Sequence, residues 1–229
     1  MVRMSTKVEL NCEMTCSKCE DKIRKSLDSM DEVTIKSIDI AGQQVLVEIS
    51  EKATITIPDL QNHIETTTGL RTVIKGIGEG ISTVSEFNGP DNLIGVIRLA
   101  QLSNNRCLVD GVIDDIKLTN NSAHCRLDIH EFGDLRGETF DHVGPVKVSI
   151  MEKVKPISSR CLFRGNFDNC DLTSVIGRSL VIKEQESDRK LSAAIIARSS
   201  PVFGNEKKIC FCSGKTLWDE RDEKRQSKV

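Results

Sequence analysis

The 229-residue chain has no tyrosine, one tryptophan and seven phenylalanines, so aromatic residues make up only 3% of it. A core of this composition is aliphatic, and a surface that stacks nucleic-acid bases needs more rings than these. There is no excess of positive charge either. Thirty-two Lys+Arg face 34 Asp+Glu, a net charge of −2, which excludes the clustered cationic footprint of a nucleic-acid binder. No apolar run approaches the ~20 residues of a membrane-spanning helix. The opening stretch MVRMSTKVELNC lacks the apolar segment of a secretory signal. The chain is therefore expected to be cytoplasmic, with no nucleic-acid partner and no membrane span. Histidine is scarce as well: His63, His124, His130 and His142 are the four present, which limits any imidazole-based metal site.

Cysteine, by contrast, is abundant. Nine are present: Cys12, Cys16, Cys19, Cys107, Cys125, Cys161, Cys170, Cys210 and Cys212. In a reducing compartment these read as metal ligands, redox centres or small core residues rather than a disulfide framework. At roughly 150 residues per domain the length allows one to three small units.

The pattern changes along the chain. Residues 1–75 alternate strand and helix signals. Lys7 to Cys12 alternates polar and apolar, Ile23, Leu27 and Met30 follow helical spacing, and Val33 to Ile40 alternates again. Ala41-Gly42-Gln43 turns the chain into Val45 to Ile49. Pro58 opens a helix through Leu60 and Ile64, Gly69 ends it, and Leu70 to Ile74 make a last strand. This order predicts a ferredoxin-like β-α-β-β-α-β unit. Residues 76–92, rich in glycine, predict a linker. Residues 93–200 predict an antiparallel sandwich or barrel, with strands near 93–102, 107–113, 126–129, 161–167, 180–182 and 191–197. Residues 201–229 predict a short flexible tail without a core of its own. The whole is of the α+β class.

Cys16 and Cys19, in Met14-Thr15-Cys16-Ser17-Lys18-Cys19, lie between the first strand and the first helix. At a helix N-terminus two such sulfurs can turn toward one point, and local amides and the helix dipole favour thiolates. Two soft thiolates suit Cu(I). A redox pair of the thioredoxin kind and half of a structural zinc site are the competing readings. Strand parity turns Met14 and Cys12 inward as packing residues. The M-T-C-x-x-C string within a unit of this order resembles the heavy-metal-associated domain of copper chaperones and copper-pumping ATPases. Small metallochaperones often carry a lysine before the last strand, where Thr66-Thr67-Thr68-Gly69 stands here. Lys18, Lys22 and Lys25 are then the charges that can offset a bis-thiolate copper site, with a solvated helix face the competing reading, favoured for Lys25.

His130-Glu131-Phe132-Gly133-Asp134 and Val175-Ile176-Gly177-Arg178-Ser179-Leu180-Val181-Ile182 are similar to two strings of copper/zinc superoxide dismutases, H-x-H-E-F-G-D and I-I-G-R-T-L-V-V-H. The resemblance implies a Greek-key sandwich over about 110 residues. It also implies six histidines and an aspartate at a metal centre, whereas this segment has three histidines. Asp128 replaces the first histidine of the first string, and Lys183 follows the second string where a ligand is expected. The family disulfide is also missing at Ala193-Ala194. What the resemblance leaves is the dimer surface: the Gly133-Asp134 loop, the Ile176-Gly177-Arg178 turn, and the last strand at Ile196 and Arg198. Cys107, Cys125, Cys161 and Cys170 have no ligand-like spacing and are expected to be small buried residues.

Cys210 and Cys212 open a third string, C-x-C-x-G-x-T-x-W-x-E/D-R. A C-x-C pair can chelate Cu(I) or close a strained disulfide ring that is a good oxidant. The three strings in this order resemble the copper chaperones of superoxide dismutase over nearly the whole chain. That family implies Cu(I) as cargo, with zinc binding weakly if at all. It implies a copper/zinc superoxide dismutase subunit as heterodimer partner, with homodimers when alone. It makes Cys16, Cys19, Cys210 and Cys212 metal ligands, and Cys210 and Cys212 a thiol–disulfide relay that oxidises the target. A dismutase fused to a copper domain, a general thiol oxidoreductase and a structural zinc protein are the competitors. The histidine count argues against the first.

Overall fold

The computed structural model describes residues 5–103, 105–120 and 123–205, and beyond them 215, 216, 218, 219, 222 and 223. Two compact units result: one runs to Ile77 and takes in the described residues from Ser200 on, the other spans Gly78–Ser199. Among the described residues no helix is long and apolar enough to cross a membrane.

The first unit is β1 (Ser5–Cys12), α1 (Ser17–Asp28), β2 (Val33–Asp39), β3 (Gln44–Ser50), α2 (Ile57–Thr68) and β4 (Thr72–Ile77). Its sheet is antiparallel in the order β2-β3-β1-β4. The register aligns buried residues: Val8 sits opposite Val47 and Leu10 opposite Val45, all without exposed surface. Ile23 and Leu27 of α1 and Leu60 and Ile64 of α2 are equally buried. The helix ends follow from local chemistry. Thr56 caps α2 by accepting the Asp59 amide, Pro58 stands in the first turn, and Gly69 at φ +73° closes the helix in a conformation that only glycine adopts cheaply. The last strand begins two residues later than expected and runs on to Ile77. Leu70 and Arg71 are used in leaving the left-handed turn, and Thr72 is the first residue in register with Cys12.

The second unit is a sandwich of a five-stranded sheet, in the order β10-β7-β6-β5-β13, and a four-stranded sheet, in the order β12-β11-β8-β9. Its strands are β5 (Ser82–Asn88), β6 (Ile94–Ser103), β7 (Arg106–Asp114), β8 (Cys125–His130), β9 (Val146–Val154), β10 (Cys161–Asp168), β11 (Ser179–Glu184), β12 (Lys190–Ile195) and β13 (Ala197–Ser199). One aliphatic core, with Ile97, Leu99, Leu127, Ile129, Phe163 and Leu180 at its centre, fills the space between the sheets.

Three expectations are corrected. The stretch 76–92 is not a linker: it completes β4 and contains β5, which pairs with both β6 and β13. Its inward positions are Thr83, Ser85 and Phe87, and the small hydroxyl residues Thr83 and Ser85 hide the alternation. β9 escapes a sequence reading because, of its nine residues, Ile150 alone is buried. The charges along its open side are what an edge strand carries. The tail is not wholly without packing. Val202 is buried, and the Phe203 amide donates to Glu9 Oε2 at 2.6 Å within the first unit.

Candidate functional site

Cys16 ends the loop after β1 in an extended conformation and stands at the N-cap of α1, so it stays outside the helix while Cys19 lies in the first turn. The Cys19 and Glu20 amides both donate to the Cys16 carbonyl, at 3.0 and 3.3 Å. This winding brings the two Sγ atoms to 3.7 Å. A disulfide needs about 2.05 Å, so these are two free thiols facing one point. Cys16 is exposed and Cys19 half-buried. The Thr15 amide holds the Cys19 thiol below its ordinary pKa, aided by hydrogen bonds from Cys16 and the Thr15 hydroxyl. A lowered pKa favours the thiolate, the form of Cys19 that binds a metal ion.

The loop rests on buried residues. Met14 is 2% exposed, and its carbonyl accepts from Gln43 Nε2 at 3.1 Å. Cys12 is fully buried, accepts the Thr72 hydroxyl at 3.6 Å, and is pushed up to about 12 by desolvation. It is thus a packing residue and no thiolate. Lys22 Nζ reaches the Thr68 carbonyl at 3.5 Å. A helix lysine therefore approaches the loop before β4 that carries no lysine itself. Met14→Ala is expected to destabilise the first unit by about 2–4 kcal/mol, as truncation of a buried methionine does. Faster hydrogen exchange of the β1 amides checks this, and unchanged exchange contradicts it.

Gly133, Asp134, Ile176, Gly177 and Arg178 come together around one open depression of about 970 Å³, which Phe132 and Leu135 also line. A Cβ at Gly133 would overlap the Gly177 carbonyl oxygen, so glycine is what lets the two loops touch. Arg178 joins them: it donates through Nη1 to the Glu131 carboxylate at 2.7 Å and to the Glu131 carbonyl, and through Nε to the Ser174 carbonyl at 2.9 Å. Glu131 is consequently held below its ordinary pKa. Phe132, 54% exposed, and Ile195, 37% exposed, leave apolar surface on this unit.

Ile196 does not belong to the exposed face. It is fully buried, because the chain passes between the sheets at that residue and turns its side chain into the core. Ile195 is the outward residue there. Arg198 is exposed on β13, opposite Thr83 of β5, and does not line the depression.

Asp128 and Lys183, which the resemblance sets at expected ligand positions, form an ion-pair network. Asp128, without exposed surface, accepts from Arg126 Nε at 2.7 Å and Ser149 Oγ at 2.8 Å, and lies 3.4 Å from Lys183 Nζ. Lys183, 3% exposed, also reaches Asp188 at 3.4 Å. His130 donates from Nδ1 to the Gly144 carbonyl at 2.7 Å, and burial, reinforced by Lys183, lowers its pKa. Among the described residues no three His, Cys, Asp or Glu converge on one point that could hold a metal ion. Cys107, Cys125, Cys161 and Cys170 are buried free thiols. Cys210 and Cys212 lie outside the described residues.

Sequence reasoning missed a cluster on the first unit. Arg71 donates to both oxygens of Glu13, at 2.7 and 2.6 Å, and to Asp222 at 2.7 Å, with the Trp218 ring 5.4 Å away. No spacing signal marks it, because Arg71 and Asp222 alone are 151 positions apart.

The Heavy-metal-associated domain family matches residues 11–69. Over 93% of this chain, the copper chaperone for superoxide dismutase of Homo sapiens is 32% identical, with 88% of its own length covered. The superoxide dismutase 1 copper chaperone of Candida glabrata is 27% identical over 91% of this chain and 90% of its own. The chloroplastic/cytosolic copper chaperone for superoxide dismutase of Arabidopsis thaliana is 25% identical over 92% of this chain and 69% of its own.

Proposed function

The chain belongs to the copper chaperones for superoxide dismutase, and from that premise we propose that it delivers Cu(I) to a copper/zinc superoxide dismutase subunit and promotes that subunit's intrasubunit disulfide. The observation that carries the copper part is the pair of sulfurs 3.7 Å apart at the start of α1, one of them with a lowered pKa. Cys16 and Cys19 thiolates hold Cu(I), a soft ion that accepts few ligands, and Lys18 and Lys22 offset the negative charge. The exposed position of Cys16 allows an incoming ligand to displace one thiolate at a time. Zinc is a poor competitor, because it asks for four ligands and the loop offers two. We infer a cytoplasmic location from the cysteine usage, because free thiols persist in a reducing compartment.

The second unit supplies recognition. Homologous sandwiches associate through the same patch on each subunit, so the depression around Arg178 takes the place of one dismutase protomer in a heterodimer, and two copies of the chain pair there when no target is present. The unit is a recognition module and not a dismutase: Lys183 is engaged with Asp128 where copper chemistry needs an imidazole.

The second cysteine pair oxidises the target. In its disulfide form Cys210–Cys212 is attacked by a target thiolate, a mixed disulfide forms, and the second target thiolate displaces the tail cysteine. The target gains a disulfide and its two protons and two electrons leave the tail as a dithiol; dioxygen takes both, giving hydrogen peroxide and the tail disulfide again. Incubation with metal-free, disulfide-reduced dismutase is expected to give a one-to-one complex in size-exclusion chromatography. Cys210→Ser is expected to leave that complex intact while target disulfide formation, followed by thiol trapping, drops to the uncatalysed rate. Absence of the complex overturns the recognition reading, and wild-type oxidation by both Cys210→Ser and Cys212→Ser overturns the relay.

A further inference from the structure

The four thiols inside the second unit have no part in the copper pair or in the recognition depression, yet they stand two and two. Cys107, inward on β7 and fully buried, has its Sγ 3.3 Å from the carbonyl oxygen of Cys170, and its thiol is also hydrogen-bonded to the Cys170 thiol. The Cys161 thiol of β10 is hydrogen-bonded to that of Cys125 of β8. The pairs differ in their surroundings. Cys125 and Cys161 belong to strands, one in each sheet, and neither has exposed surface. Cys170 belongs to no strand. It follows β10 in a loop that Asn169 turns at φ +61°, it is 2% exposed, and its neighbours Asp168, Asn169 and Asp171 are all exposed. It therefore lies one layer beneath the surface. The hydrogen bond from Cys107 holds the Cys170 thiol below its ordinary pKa, and the same bond, with burial, raises that of Cys107. A thiolate is the nucleophile in thiol oxidation. Cys170 is thus the attacking sulfur, and Cys107 keeps its proton until it resolves the product.

A run of hydrogen bonds leads from Cys170 to the depression. Gln101 donates from Nε2 to the Cys170 carbonyl at 3.2 Å and accepts the Leu172 amide through Oε1 at 2.9 Å. Asp171 caps the short turn Leu172–Ser174, accepting the Thr173 amide at 2.9 Å and the Thr173 hydroxyl at 2.7 Å. The Ser174 carbonyl accepts from Arg178 Nε at 2.9 Å, and Ser174 lines the depression with Ile176, Gly177 and Arg178.

We propose that Cys107 and Cys170 are a peroxide-sensitive dithiol: hydrogen peroxide converts them to a disulfide, and the disulfide shifts the Asp171–Arg178 run and weakens partner binding at the depression. The Cys170 thiolate attacks one peroxide oxygen. An S–O bond forms, the O–O bond breaks, and the departing hydroxide takes a proton from solvent to become water. Cys107 then attacks the sulfenic acid sulfur. The S–S bond forms, the S–O bond breaks, and a second water leaves with the Cys107 proton. The two thiols lose two electrons and two protons in all, and one peroxide becomes two waters. The disulfide needs its sulfurs at about 2.05 Å, and forming it removes the Cys107 hydrogen and with it the bond to the Cys170 carbonyl. β7 is paired on both sides, by β6 and β10, so the loop is the part that moves. Re-oxidation of the second cysteine pair by dioxygen supplies the oxidant. The effect on the partner rests on the proposed function, whereas the disulfide itself forms with hydrogen peroxide from any source.

The full-length chain with Cys16, Cys19, Cys210 and Cys212 changed to serine keeps Cys12 and the four thiols of the second unit. Treatment with hydrogen peroxide, then catalase, thiol blocking in denaturant and peptide mass mapping is expected to give a Cys107–Cys170 cross-linked peptide, with Cys12, Cys125 and Cys161 still free. Cys107→Ala is expected to stop at a Cys170 sulfenic acid that dimedone traps, and Cys170→Ala to leave Cys107 reduced. The cross-link is read with both cysteines present, so it does not depend on either variant folding. Cys107 and Cys170 still free after treatment, or Cys125 and Cys161 cross-linked at the same rate, overturn the dithiol.

The second step is read by isothermal titration calorimetry against a metal-free dismutase subunit whose two disulfide cysteines are serine, which prevents thiol exchange. The cross-linked chain is expected to bind about tenfold more weakly than the same chain re-reduced with dithiothreitol. Equal affinity of the two forms overturns the effect on the partner. No binding by the reduced chain overturns the proposed function, and the effect on the partner with it, whatever the peptide map shows.

Discussion

With Cys210 and Cys212 already serine, changing Cys16 and Cys19 to serine as well is expected to lower Cu(I) retention against bathocuproine disulfonate by on the order of a thousandfold. Serine keeps the size and the N-cap oxygen that this position favours, so α1 still starts at Ser17 and the far-UV circular dichroism is unchanged. What is lost is the soft, polarisable ligand, and an alkoxide is not available at neutral pH. Single variants leave one thiolate and are expected to fall between. The pH dependence has a defined sign. A proton competes with Cu(I) for each thiolate, so retention falls as pH falls. Because the Thr15 amide keeps the Cys19 thiol below its ordinary pKa, that loss begins at a lower pH than for a free cysteine thiol. Undiminished retention in the quadruple variant would show that the copper site lies elsewhere.

Arg178→Glu is expected to weaken the heterodimer with a metal-free dismutase subunit by on the order of 30-fold, about 2 kcal/mol. Arg178 cross-links the two loops through the Glu131 side chain, the Glu131 carbonyl and the Ser174 carbonyl. A glutamate there loses all three donors and sets a second carboxylate beside Glu131. The loops then separate, and the depression that they line loses its shape. Arg178→Lys keeps the charge but not the fork, so an intermediate loss is expected. Isothermal titration calorimetry with the reduced, metal-free subunit measures both. Equal affinity for wild type and Arg178→Glu moves the interface away from this depression.

The first unit was legible almost throughout, since its strands bury one face and its helices one stripe, and periods of two and 3.6 survive in the residue order. Pro58 and Gly69 stand where local backbone chemistry alone places a helix start and end. The Cys16–Cys19 spacing is of the same kind, because the helix that brings the sulfurs together is set within a dozen residues. The second unit was legible where both ends of a strand are apolar, and illegible at β5 and β9. Thr83 and Ser85 of β5 are buried by cross-strand packing and not by their own hydrophobicity, and β9 is an edge with one buried side chain.

What the sequence determined by itself is therefore local: the elements of the first unit, the sulfur pair, and the two loop strings that meet at Arg178. Tertiary structure decided what depends on distant partners. Ile196 points into the core because the chain changes sheets there, leaving Ile195 to face outward. Lys183 is tolerated in the interior because Asp128, 55 positions away in sequence, lies beside it. Glu9 is tolerated in the interior because Lys75 and the Phe203 amide meet it, and Arg71 stands between Glu13 and Asp222. A buried charge needs a counter-charge or a hydrogen bond wherever one can be found in space, and separation along the chain holds no record of which one the fold supplies.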